Sequence, residues 1–385
     1  MKNFYCFLFL LACSCTEKSS EKNDFLRVAL NLDDSIERNL SEKFEDIRYV
    51  LLDYSDSLPL VNPYIIRFTA DKIFVSDRVL ENILIFDSEG NYLDGLFSTG
   101  EGPGEFIQIE DFQLNEDFIF VQDNRLRKIL KFTLEGEFIE ERKNLIPSSN
   151  TFLTDEFELH FMNNFLHNKG FNFIRKDKQS QDEVEYYEIP KELAGLKTAL
   201  KNGFLRNPQK DEILLGIPNS NKIAFFNSNG FLSRELEIDL GSAGIDNALR
   251  SNLLNGDVKY SFLNEANLSR GSSAFYPFKN DYFAFFQRGG KEFHYVFFDE
   301  NFNTTFQAKK LKNDLDGMII NNVPWSLKED ELVFMIDSNN FLKNYFSKED
   351  ELKSDFPSKM IHEFVSGNSE KLKAEKTVLV FLKVR

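Results

Sequence analysis

Apolar and polar positions along this chain fall into short runs, and the runs recur. At an offset of 46, Asp71, Ile73, Phe74, Val75 and Asp77 stand over Asp117, Ile119, Phe120, Val121 and Asp123. The same offset lays Ile83, Leu84, Phe86, Glu89 and Gly90 over Ile129, Leu130, Phe132, Glu135 and Gly136. A further copy spans 221–230, and its Gly230 follows Gly136 by 94 positions, two periods, so a degenerate copy is expected between them with strands over 171–174 and 183–189. A fifth copy occupies 282–287 and 293–299, with Asn301 and Phe302 replacing the turn glycine, and a sixth begins at 331–336. Each unit reads as strand, tight turn, strand, with Glu-Gly or Asn-Gly supplying the positive φ a hairpin needs.

A period of roughly 40–50 residues with about four short strands per unit is the signature of propeller blades. The pattern therefore predicts an all-β protein: a six-bladed β-propeller of four-stranded antiparallel blades over 47–385. Residues 377–384 are expected to pair with residues 47–53, closing the ring from both termini and removing exposed sheet edges. A β-sandwich of duplicated hairpins fits less well, because six copies follow one another without a linker.

The first residues break the pattern. Met1, Lys2 and Asn3 give a basic start, and the apolar stretch 4–12 is about half the roughly 20 residues a membrane-crossing helix needs, as in a signal peptide. The stretch runs into Leu10-Leu11-Ala12-Cys13, which resembles the lipobox of bacterial lipoproteins. That resemblance implies cleavage after a 1–12 signal peptide and acylation of Cys13, with Cys15 the alternative acceptor. Two or three acyl chains anchor a protein stably where one does not. Residues 16–24 are polar and 37–45 highly charged, the latter a loop or a short helix, so 13–46 reads as lipid anchor and flexible tether. The implied location is the cell envelope, on an outer membrane or a periplasmic face.

Charge and cysteine usage narrow the chemistry. The formal net charge is −16, which repels phosphate backbones and excludes a nucleic-acid role. Membrane contact should therefore be through covalent lipid alone. Cys6, Cys13 and Cys15 are the only cysteines, so the body has no disulfide, thiolate metal site or cysteine nucleophile. Phenylalanine, with 42 copies against 12 Tyr and one Trp, suits stacked sheets that bury large apolar areas.

Gly100-Glu101-Gly102-Pro103-Gly104-Glu105-Phe106, after the turn Phe86-Asp87-Ser88-Glu89-Gly90, resembles the motif of NHL-type propellers. With the lipobox, it resembles the six-bladed β-propeller lipoproteins of Gram-negative bacteria. The resemblance implies fold and location, and brings little defined biochemistry. A glycine-rich run can cradle phosphate where a helix follows. Here a strand is expected from about Ile107, and Pro103 removes a donor, so the run reads as an inter-blade connection.

In propellers the inter-blade connections share a face with the turns between second and third strands. That face would hold Asp77, Arg78, Asp123, Asn124, Arg125 and Arg288 as candidate ligand residues. Asp77 and Asp123 occupy equivalent positions and could act as paired carboxylates or collect Ca²⁺; the plainer reading is that each caps a hairpin. His160, His167, His294 and His362 lack the spacing of a zinc helix. NHL-type enzymes such as the peptidyl-hydroxyglycine lyase hold a metal with histidines of several blades, and nothing here matches that set residue by residue. No Gly-x-Ser-x-Gly elbow is present, which leaves a Ser-His-Asp triad to the fold to decide. The long polar insertions 239–270 and 347–376 read as recognition loops or disorder, and Trp325 as blade core rather than a sugar platform. The function expected is a monomeric, non-catalytic binding or scaffold protein for a protein, peptide or glycan partner, with no required cofactor. The alternatives are a metal-dependent NHL-like lyase or hydrolase, and a sensor or accessory subunit of nutrient uptake.

Overall fold

The repeated apolar runs fold as the second and third strands of successive sheets. In the first, Lys72–Asp77 pairs antiparallel with Asn82–Asp87, Val75 opposite Leu84, and Ile73, Phe74, Val75, Ile83, Leu84 and Ile85 are all buried. Consecutive residues point to opposite faces of a strand, so a run buried on both faces needs a sheet packed on each side. The computed structural model describes residues 24–97, 100–165, 170–198, 202–320, 323–357 and 360–385, and it supplies those neighbours: six sheets arranged as a propeller.

Blade 1 comprises Pro63–Phe68, Lys72–Asp77, Asn82–Asp87 and Tyr92–Leu96, from the channel outward. Blade 2 follows with Asp111–Leu114, Phe118–Asp123, Lys128–Thr133 and Phe138–Lys143. Blade 3 has Asn150–Leu153, Phe157–Phe161, Phe171–Asp177 and Glu183–Glu188; the strands expected over 171–174 and 183–189 are its third and fourth, and its second, Phe157–Phe161, lay outside the expected copy. Blade 4 has Leu205–Asn207, Glu212–Gly216, Lys222–Asn227 and Leu232–Asp239. Blade 5 has Ser269–Phe278, Asp281–Arg288, Glu292–Phe298 and Thr304–Lys312. Blade 6 takes Ser326–Lys328, Glu331–Asp337 and Thr377–Val384 from the C-terminal end and Phe44–Leu52 from the N-terminal end, with Leu382 opposite Ile47.

Between blades, apolar faces interlock. Val50, Leu52, Leu379 and Phe381 of blade 6 meet Ile66, Ile73, Val75 and Phe86 of blade 1. Phenylalanines fill the deeper layers edge to face: Phe173 of blade 3 meets Phe226 of blade 4 with ring centroids 5.2 Å apart. Each such ring contributes about 1.5–3 kcal/mol by burial, which accounts for the composition.

The boundary at residue 47 needs correction. Asp24–Ala29 lies parallel to the outer strand of blade 4, Leu26 beside Leu236, and Ile36–Asn39 lies parallel to that of blade 5. These blades are five-stranded, and residues 24–43 run as a belt around blades 4 and 5 before the closing strand of blade 6. Leu30, Leu32 and Leu40 pin the belt in the core. An outermost strand has little packed on its outer side, so its residues stay polar and resemble a tether.

The two insertions are helical where described. Between blades 4 and 5, helix Asn247–Asn255 starts on Asp246, whose side chain accepts from Leu249 N, and stops on Gly256 at φ +85°. A short helix, Ser261–Glu265, follows. Inside blade 6, helices Ser338–Phe346, Glu349–Asp355, Met360–Gly367 and Ser369–Leu372 link the second strand to the third. Phe341, Tyr345, Leu352, Ile361, Val365 and Leu372 form their buried face, and Tyr49 of the closing strand packs against Phe341 and Phe364. The polar composition that suggested loops is the solvent side of these helices. Among the described residues no helix is long and apolar enough to cross a membrane.

Candidate functional site: a cleft beside the channel mouth

Antiparallel order puts the second-to-third-strand turns and the inter-blade connections at one end of the channel. The residues singled out on that face divide by role. Asp77 is 1% exposed; one carboxylate oxygen accepts from the N–H groups of Val61 and Asn62, and the other from Val79 and Leu80. Asp123 accepts from Ile107, Gln108 and Leu126 in the same way. Each aspartate thus ties its own turn to the connection arriving from the preceding blade. Asn124 donates to Ser148 O at 2.7 Å and accepts from Gln122. Arg288 donates to Asp33 of the N-terminal belt and to Asn267 O. Arg78 and Arg125 remain exposed, Arg78 over the Tyr64 ring at 4.8 Å. Both lie near Glu81, whose pKa is raised chiefly by burial while its carboxylate accepts from Ile109 N. Cys13, Cys15 and His167 lie outside the described residues.

The glycine-rich run has its groups occupied internally. Gly102 N donates to Glu105 Oε2 at 2.7 Å, Gly104 N donates to Glu141 Oε2, and Lys128 donates to Gly102 O. Phe106 is fully buried between blades 1 and 2. No helix follows; the next strand begins at Asp111, four residues later than expected. Trp325 packs against the blade 6–blade 1 core and donates to Tyr64 O at 2.9 Å.

Among the described residues two buried Ser–His pairs stand beside a glutamate. Ser148 Oγ is 3.1 Å from His160 Nδ1, and His160 Nε2 is 3.2 Å from Glu158 Oε2. In blade 5, Ser35 Oγ is 2.7 Å from His294 Nδ1, with Glu292 3.7 Å from Nε2. The Ser148 array is sealed: Ser148 is 1% and His160 0% exposed, so no substrate carbonyl can approach the hydroxyl. Burial lowers the pKa of both histidines, His294 to about 4. Ser35 is 1% exposed as well, so in both places the serine–histidine contact ties a connection to its blade inside the protein. His362 joins Tyr345 to Phe356 O among the helices of blade 6. Among the described residues no three His, Cys, Asp or Glu side chains converge to hold a metal, so Asp77 and Asp123 do not assemble a Ca²⁺ site with other carboxylates.

What the face does hold is a cleft. Two adjoining hollows of ≈ 360 and ≈ 380 Å³ share Thr198, Pro218 and Leu254. Helix Asn247–Asn255 contributes to their wall, with the connection between blades 3 and 4 and the inner strands of blade 5. Tyr260, Arg270, Ser272 and Gln287 line the first, and Tyr187, Asn221, Lys222 and Arg250 the second. In the second hollow Asn221 Oδ1 and Arg250 Nε are buried without a hydrogen-bond partner, and Tyr187 OH is buried with Glu235 as a polar neighbour. Tyr187 also has φ +66°, a left-handed backbone that an aromatic residue adopts at a cost of about 1–3 kcal/mol. Burial, then Glu235 and Glu237, holds its phenol protonated. Sequence reasoning missed these residues: Tyr187 and Asn221 sit inside repeat copies, and Arg250 inside a polar insertion, so nothing local marks them.

Fold and cleft together define a six-bladed β-propeller with a polar pocket beside its channel. The chain belongs to the 6-bladed β-propeller family DUF5128, whose match spans residues 17–335. Its architecture is similar to that of a Bacteroides fragilis NCTC 9343 protein provisionally described as exported, at 16% identity, covering 94% of this chain and 99% of that one with a TM-score of 0.66. A DUF4221-family protein of Bacteroides vulgatus ATCC 8482 is similar at 11% identity, covering 89% and 97%, with a TM-score of 0.51. At these identities the likeness establishes the fold. No curated protein matches the sequence.

Proposed function

We propose that the protein is exported, held in the cell envelope by lipid on Cys13, and works as a non-catalytic binding protein that takes a neutral, hydroxyl-rich glycan into the cleft. The observation that carries this reading is the pair of unpartnered polar atoms, Asn221 Oδ1 and Arg250 Nε, around one hollow that the Tyr187 phenol also lines. Leaving a buried polar group unpaired costs about 1–3 kcal/mol, and here the pair is one donor and one acceptor, with a phenol beside them. A ligand hydroxyl likewise donates and accepts, so small side-chain shifts would let sugar hydroxyls satisfy both. The partly apolar wall of Leu254 and Pro218 suits a sugar's C–H faces. The description of the Bacteroides fragilis protein supports export, and the lipobox supports the anchor.

The test is calorimetric titration of the detergent-solubilised full chain with neutral oligosaccharides built on mannose, galactose or N-acetylglucosamine. Saturable binding is expected with at least one, weakened about tenfold by Tyr187→Phe or Asn221→Ala. If only peptides bind in the cleft, or if both variants bind as the parent does, the glycan reading fails. The anchor is tested separately: the Cys13→Ala/Cys15→Ala chain should leave the membrane fraction, and unchanged fractionation would overturn it.

A further inference from the structure

The opposite end of the channel carries a different chemistry. There a cavity of ≈ 380 Å³ is lined by residues of five blades, among them Arg67, Gln113, Asn150, Arg206, Lys328 and Glu329. Arg67 sits on the innermost strand of blade 1, within an otherwise apolar run. Among the described residues its one charged contact is Asp111 Oδ1 on the innermost strand of blade 2, at 3.7 Å, too long for a good hydrogen bond. It donates no hydrogen bond to any described residue, although a guanidinium carries five N–H donors.

Asp111 is meanwhile engaged elsewhere, since Asn150 Nδ2 donates to its other oxygen. Burial raises its pKa to about 7, even though Arg67 acts in the opposite direction. So Arg67 is a deeply placed cation, loosely compensated, with its side chain 16% exposed toward the cavity. Arg206 and Lys328 stand at the rim, Arg206 in an exposed pair with Asp211 and Lys328 donating to Ala70 O. Glu329 is the one carboxylate among the described lining residues. In a chain of net charge −16, three cations around one cavity run against the general surface.

We propose that this channel mouth is an anion site, in which Arg67 grips a carboxylate or phosphate group of a small ligand and Arg206 and Lys328 hold it at the rim. Fork-to-fork pairing of a guanidinium with an oxyanion is short and bidentate, and it would fill the donors that Asp111 leaves open. Gln113, whose side-chain oxygen accepts from Leu153 N, lines the same space. The site is separate from the cleft and does not depend on what the cleft binds.

The experiment is titration of the detergent-solubilised full chain at low ionic strength with two probes, succinate and inorganic phosphate, followed by calorimetry. Saturable binding of at least one is expected, about tenfold weaker for Arg67→Gln and several-fold weaker for Arg206→Ala/Lys328→Ala, and unchanged for Tyr187→Phe. Succinate alone would assign the site to carboxylates and phosphate alone to phosphates. Should Arg67→Gln fail to fold, the exposed-rim double variant decides. Absence of saturable binding by the parent chain, or undiminished binding by the rim variant together with any folded Arg67 variant, would overturn the proposal.

Discussion

Asp77 makes the strongest case at the scale of single residues. Four backbone N–H groups converge on one carboxylate that is almost wholly buried, so Asp77→Ala should cost about 3–5 kcal/mol, the upper range for a point change. Urea unfolding would measure this, and Asp77→Asn should retain part of the stability because its carbonyl oxygen can still accept. His294 sets a pH dependence. Its folded pKa of about 4 lies below the unfolded value near 6.5, so the unfolded chain takes up the proton first as the pH falls. Stability should decline from about pH 6.5 and level off below about pH 4, by on the order of 3 kcal/mol. His160 adds to the slope in the same direction. Denaturant midpoints from pH 8 to pH 4 should show the decline, and His294→Gln should flatten it. Of these roles, the turn-capping aspartates were open to sequence reasoning, because two equivalent Asp residues at strand ends follow the repeat. The histidine links were not, because Ser35 and His294 are joined only by the fold.

The N-terminal belt has the greatest consequence among the elements. It adds a parallel strand to each of two blades and inserts Leu30 and Leu32, 3% and 1% exposed, into the core of blades 4 and 5. Leu32→Ala should therefore cost about 2–5 kcal/mol, the range for a leucine truncated in a packed core. Amide exchange should quicken selectively in residues 232–239 and 304–312, the strands the belt covers. If exchange there is unchanged while the global midpoint falls, the belt is not the covering element described. Its strands were illegible for a physical reason: Arg27 pairs with Glu237 and Asp239, and charges that serve an edge strand look the same as those of a solvated linker. The helical insertions were misread similarly, since short helices with one buried face offer too few turns for a clear period.

Closure dominates the molecule as a whole. Thr377–Val384 is the third strand of blade 6 and holds Phe44–Leu52 in register from the far end of the chain. Removing residues 377–385 would strip the partner from the closing strand and expose the faces of blades 6 and 1. The truncated chain should show no cooperative thermal transition and should aggregate, as unpaired edges invite; a sharp transition near that of the full chain would refute the closure argument. Contacts this distant in sequence also predict slow folding, in the millisecond-to-second range or beyond.

The sequence by itself determined the number of blades, the second and third strands of blades 1, 2 and 5, the third strands of blades 3 and 4, and the strand that closes the ring, because alternation and period are local properties that most blades restate. Only the tertiary structure decided where function could reside. Arg67 meets Asp111 across two blades, and Tyr187, Asn221 and Arg250 come together from a strand, a turn and a helix with no shared spacing. A propeller repeats its core and varies its channel mouths, so its periodic residues build the fold while its sites arise from residues that follow no period.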